Sequence, residues 1–130
     1  MSTPPSTFEV RADHARNILY ITLTGYLSAE QVKQASQEVI RKAKTMQPGF
    51  SVINDIQSFR PVSQDVVAYV AEAQRAVVAA GAHRIVRVTG STVVANMQFS
   101  RTSREVGYDA ASAATVADAE ALITRAARAA

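Results

Sequence analysis

Apolar and polar positions along this chain change period several times, and each change marks a predicted element. Phe8-Glu-Val-Arg-Ala12 alternates with a period of two, the pattern of a half-buried strand. Asp13 to Asn17 is a polar turn. Ile18 to Thr24 is the strongest strand signal, rich in β-branched and aromatic residues, so the two runs predict a hairpin. Gly25 closes the second strand, and Ser28 supplies a helix N-cap with Glu30 in the first turn. Val32, Ala35, Val39, Ala43 and Met46 then recur at helical spacing, one apolar stripe that Pro48-Gly49 ends. Phe50 to Ile56 predicts a buried strand, and Gln57 to Pro61 a loop.

Ser63 is placed to cap a long helix running to about Ala80. Val66, Val70, Ala73 and Val77 mark its buried face, widened by Val67 and Val78, and Gly81 terminates it. His83 to Thr89 predicts a strand, Gly90-Ser91-Thr92 opens a helix to about Val106, and Gly107 ends it. Ala111 to Val116 reads as a short last strand and Ala117 to Ala129 as an alanine-rich helix. The predicted fold class is a single α/β domain: a β-hairpin followed by alternating helices and strands. Its sheet is mixed but mostly parallel, with four to five strands under about four helices. Residues 1–7, with Pro4 and Pro5, are expected as a disordered lead to a domain over residues 8–130.

Composition narrows the chemistry more than the fold. With 130 residues, one domain is the default. Hydrophobic residues make up 48%, as in folded globular domains rather than disordered chains. There is no cysteine, which excludes a disulfide scaffold, a thiol nucleophile and every thiolate metal site. The pI of about 9.6 rests on only fourteen Lys and Arg against eleven Asp and Glu. No basic run tracks a phosphate backbone, and Phe8, Tyr20, Phe50 and Tyr69 are scattered, so nucleic acid is not an expected partner. The opening residues lack the basic start and apolar core of a signal peptide, and no apolar stretch approaches a membrane span. A cytoplasmic, bacterial-type protein with no transmembrane segment is the expectation.

Catalysis finds no support in the residue pattern. His14 lies in a polar turn and His83 at a helix-to-strand junction, neither with a partner at ligand spacing. Nucleophile-elbow, phosphate-loop, dinucleotide-loop and zinc-helix motifs are absent, and no cofactor or metal is expected. The most pointed segment joins the end of a central strand to a long helix and carries Asp55, Ser58, Arg60, Ser63 and Asp65. Loops at the carboxyl ends of strands and the helix N-termini beside them are good binding places. A phosphate on Ser58 or Ser63 could pair with Arg60 there; the plainer alternative is that Ser63 caps the helix and Asp55 satisfies loop amides. Gly90, Ser91 and Thr92 form a second candidate, for an anion. Arg101 and Arg104 fall too far along the following helix to share that anion and, with Phe99, suggest a dimer or partner surface.

The hairpin, the alternating elements and the Asp55-Ile-Gln-Ser-Phe59 stretch resemble the anti-sigma-factor antagonist (STAS) family, in organisation from about Phe8 to Arg125. In that family an Asp ends the central strand, the place held here by Asp55. A later Asp-Ser-(Ser/Thr)-Gly stretch carries the regulatory phosphorylation site; here that place reads Ser63-Gln64-Asp65-Val66, without the glycine. The resemblance implies a non-enzymatic STAS-like module of the divergent stand-alone kind, binding a protein partner or its own copy in bacterial signalling. The alternative it implies is a carrier or sensor of a small apolar or anionic ligand, lipid-like or a nucleotide. A homodimer is further suggested by the sheet edge that the hairpin leaves and by Phe99.

Overall fold

The computed structural model describes residues 6–60, 66–89 and 110–129. Their elements run β1 (Thr7–Asp13), β2 (Ile18–Tyr26), α1 (Ala29–Ala43), β3 (Ser51–Arg60), α2 (Val67–Ala79), β4 (Arg84–Val88), β5 (Ala110–Ala113) and α3 (Val116–Ala129). The helix expected between Ser91 and Val106 lies outside the described residues, so three of the expected helices are in view. Strand β1 begins within the residues expected as a lead. Thr7 already pairs with Thr24, and the Ser6 hydroxyl donates to the Tyr26 carbonyl at 2.8 Å.

The five strands form one sheet whose order is the chain order, β1-β2-β3-β4-β5. β1 and β2 are antiparallel, and β2, β3, β4 and β5 are parallel, as the hairpin-then-alternation pattern predicts. Right-handed crossovers that always step the same way across a sheet set their helices on one face. α1 and α2 accordingly share a face, packed on Leu19, Ile21 and Leu23 of β2, Val52 and Ile56 of β3, and Ile85 of β4. The alternate residues Ile18, Tyr20, Ile53, Val86 and Val88 form a second core on the other face with Ala119 of α3. Burial on both faces explains why β2 reads as a nearly continuous apolar run.

Helix boundaries follow local chemistry. The Ser28 hydroxyl accepts from the Gln31 N–H at 3.1 Å, and the Gln31 side chain accepts from the Ser28 N–H at 2.9 Å, a complete capping box. The whole predicted α1 stripe, Val32 to Met46, is buried. Val78 departs from expectation: it is 40% exposed, whereas Val66, Ala73 and Val77 are buried. At the end of α2, Gly81 adopts φ +101°, and a Cβ there would come within 3.2 Å of Pro48 Cα. The turns after α1 and α2 thus touch, and Gly49 donates to the Gly81 carbonyl at 2.7 Å. Asn17, at φ +56°, ties the hairpin to the same corner by exchanging hydrogen bonds with the Gln47 backbone at 3.2 Å each way.

A polar cluster fastens α3 to the hairpin. The buried Tyr20 donates its phenol hydrogen to Glu120 Oε2 at 2.7 Å, while Arg16 Nη1 reaches both groups at 3.3 Å. The Arg11 guanidinium lies 4.0 Å from the centre of the Tyr20 ring. Burial, reinforced by the Glu120 hydrogen bond and charge, holds the Tyr20 phenol above its ordinary pKa.

Candidate functional site

The carboxyl end of β3 differs from its prediction, and the difference shapes the candidate site. Gln57 to Arg60 continue the strand rather than forming a loop. Opposite Leu23 of β2 stand two residues of β3, because Thr22 pairs with Asp55 and Thr24 with Ser58. Ile56 and Gln57 therefore form a β-bulge. Core-facing positions run Val52, Asn54, Ile56 at intervals of two, and the bulge shifts the phase so that Phe59 returns to the core. Without it, Phe59 would face away from that core and Ser58 would point in.

Asp55 stabilises the irregular backbone. Its Oδ1 accepts from the Gln57 N–H at 3.2 Å and from the Gln57 side-chain amide at 3.1 Å, an Asx-type contact across the bulge. The idea that Asp55 satisfies local amides thus holds, within a strand instead of a loop. β4 stops beside Asp55, with Val88 as its register partner, whereas β3 runs on to Arg60 along β2. Ser58 is exposed on this projecting end, next to the buried Phe59. Arg60 closes the strand opposite Tyr26.

Ser63 and Asp65 lie outside the described residues, but the start of α2 is defined. Its cap position falls on Val66, which has helical backbone and no side-chain cap, three residues beyond the expected Ser63. Gly90, Ser91, Thr92, Phe99, Arg101 and Arg104 also lie outside the described residues. The structure therefore brings together Asp55 and Ser58 on one short segment with the Arg60 backbone. His14 Nε2 and Thr45 Oγ1 are 2.9 Å apart, and His83 is exposed. Among the described residues, no group of three His, Asp or Glu side chains could hold a metal ion, and no helix is long and apolar enough to cross a membrane.

Three polar residues on the α1/α2 face were passed over in the sequence. Ser36 of α1, Asn54 of β3 and Gln74 of α2 are all buried, and all line one cavity. The signal was present: Ser36 sits within the helical stripe, Gln74 falls between Val70 and Val77, and Asn54 is in phase with Val52 and Ile56. Arg87, the register partner of Asn54 on β4, is buried as well. Polar side chains at core-phase positions mark either a structural network or a binding site.

No family model matches this sequence, and no curated protein matches it. Among solved structures, the chain is similar to one described as the anti-sigma factor antagonist SpoIIAA in its unphosphorylated form. The superposition has a TM-score of 0.63 and 16% sequence identity, covering 91% of this chain and 96% of that one. With its hairpin and its chain-ordered mixed sheet, this chain has a STAS-like fold.

Proposed function

We propose that this protein is a non-enzymatic interaction module of bacterial signalling, docking a protein partner on the projecting end of β3 and the start of α2. The observation that carries the reading is the bulge: it turns Ser58 outward on a strand end anchored by the buried Phe59. A strand end that is paired along β2 and extends past β4 gives a partner a surface already in extended form, which lowers the ordering cost of binding. Likeness in fold to an anti-sigma factor antagonist, a protein with an unphosphorylated form, supports regulation by protein contact. Asp55 holds the bulge in shape, while Ser58, Arg60 and Ser63 make the contact, and a phosphate on either serine would change its charge.

The test is site-specific photo-crosslinking in cells, with the crosslinker at position 58 and, as control, at the exposed Glu72 on α2. One defined protein should be captured from position 58 and not from position 72. With that protein in hand, residues 55–70 should gain hydrogen-exchange protection in the complex. Ser58→Ala, Arg60→Ala and Ser63→Ala together should weaken binding at least about tenfold, the effect of losing a few polar contacts. Unchanged binding in the triple variant removes this surface from consideration.

A further inference from the structure

α1 and α2 do not close fully over the sheet. Between them and strands β2 and β3 lies a cavity of about 50 Å³, walled by aliphatic side chains such as Ile21, Val39 and Val77. The small side chains of Ala35 and Ala73 leave its space open. Asn54 lines it, is only 6% exposed, and its Oδ1 accepts no hydrogen bond among the described residues. A buried acceptor left unmet is costly, so a native fold that keeps one in a cavity wall invites a donor from outside the chain. An entrance exists. Ser36 lines this cavity and also a surface groove of about 210 Å³ between α1 and α2, bordered by Lys33, Tyr69 and Glu72.

We propose that this cavity binds a small neutral molecule bearing a hydroxyl or N–H donor on a compact apolar body. The donor would meet Asn54 Oδ1, and the body would lie among the aliphatic side chains. Charge selects the class, because no ionisable side chain among the described residues lines the cavity. A charged ligand would lose its hydration there with no opposite charge among those residues to compensate. Volume selects the size: the cavity has room for about four water-sized groups, at roughly 10–15 Å³ each, enough for a short branched chain and too little for an aromatic ring. The proposal stands apart from partner docking at β3, and either can fail alone.

The experiment uses the full chain and three probes of four non-hydrogen atoms each: 2-propanol, acetone and acetate. Backbone amide spectra recorded during titration should give saturable shifts at Ser36, Asn54 and Gln74 with 2-propanol. 2-Propanol should bind about three- to tenfold more tightly than acetone, which lacks the donor, as expected for one neutral hydrogen bond. Acetate should not saturate these signals. Ala73→Leu, which fills the cavity with apolar atoms, should abolish the 2-propanol shifts, and Asn54→Leu should equalise 2-propanol and acetone. The proposal is overturned by an absence of saturable shifts, which means the cavity holds water only. Equal affinity for 2-propanol and acetone, acetate binding, or 2-propanol binding that survives Ala73→Leu overturns it equally. The three probes on the unaltered chain decide the matter even if Asn54→Leu fails to fold.

Discussion

Deleting Gln57 tests the bulge directly. In the native pairing Asp55 faces Thr22, Ser58 faces Thr24, and Ile56 and Gln57 share Leu23. Removing Gln57 restores one-to-one pairing, with Ile56 opposite Leu23, and leaves Ile56 and Phe59 two positions apart on the same face. Both side chains, 0% and 2% exposed, would stay buried. What is lost is the pair of hydrogen bonds from Gln57 to the half-buried Asp55. At about 0.5–1.5 kcal/mol each, and with water available to replace them in part, the deletion should cost about 1–2 kcal/mol. The contrasting perturbation inserts one glycine between Ser58 and Phe59. That shifts Phe59 to the wrong face and should cost about 3–5 kcal/mol, as should Phe59→Ala. Urea denaturation followed by circular dichroism, with unchanged slope m, measures all three. If the deletion destabilises as much as Phe59→Ala, the phase argument is wrong.

Other features lead to further measurements. Ser28→Ala breaks the capping box of α1 and should lower stability by about 1 kcal/mol in thermal or urea unfolding, whereas Ser28→Asp should retain most of it. Gly81→Ala places a Cβ against Pro48 at φ +101° and should cost about 1–3 kcal/mol, against a few tenths for Ala79→Gly in the exposed last turn of α2. In an alkaline titration of phenolate absorbance, Tyr20 should ionise above the ordinary tyrosine range, and Tyr20→Phe should remove that late component. Because its folded pKa lies above its unfolded one, this group's contribution to stability is intact below the ordinary tyrosine range. It is lost as pH rises through the folded value, so the unfolding free energy should fall more steeply at alkaline pH in the native chain than in Tyr20→Phe.

Regular periodicity made most of the architecture legible before any coordinates. The α1 stripe, its Ser28 cap, the hairpin and the parallel strands all follow repeats of two or 3.6 residues, which local sterics enforce. The end of β3 escaped because a bulge replaces an interval of two by one of three between Ile56 and Phe59, and a broken period looks like a loop. Asp55 stood out as the residue ending a strand, yet its hydrogen bonds go to a strand residue two positions on. The start of α2 is a separate case: Ser63 is a good cap by residue type, yet the cap position falls on an uncapped Val66, and because Val66 belongs to the buried stripe with either start, the apolar pattern does not choose between them. The cavity residues Ser36, Asn54 and Gln74 were in phase with the core, but only the packing of α1 on α2 reveals that they meet.

Agreement between strand order and chain order bears on how the protein is made. Each strand from β2 to β5 joins a neighbour already synthesised, so none waits at the ribosome for a partner still to come. The described residues of the α1/α2 core cluster run from Val10 to Ile85. A nascent chain that has just released β4 therefore holds every one of them. The second core needs Ala119, and α3 arrives last to cover it. The topology permits vectorial assembly: one face of the sheet can shut while the other is still exposed, and the Tyr20–Glu120 contact becomes available only once α3 is made.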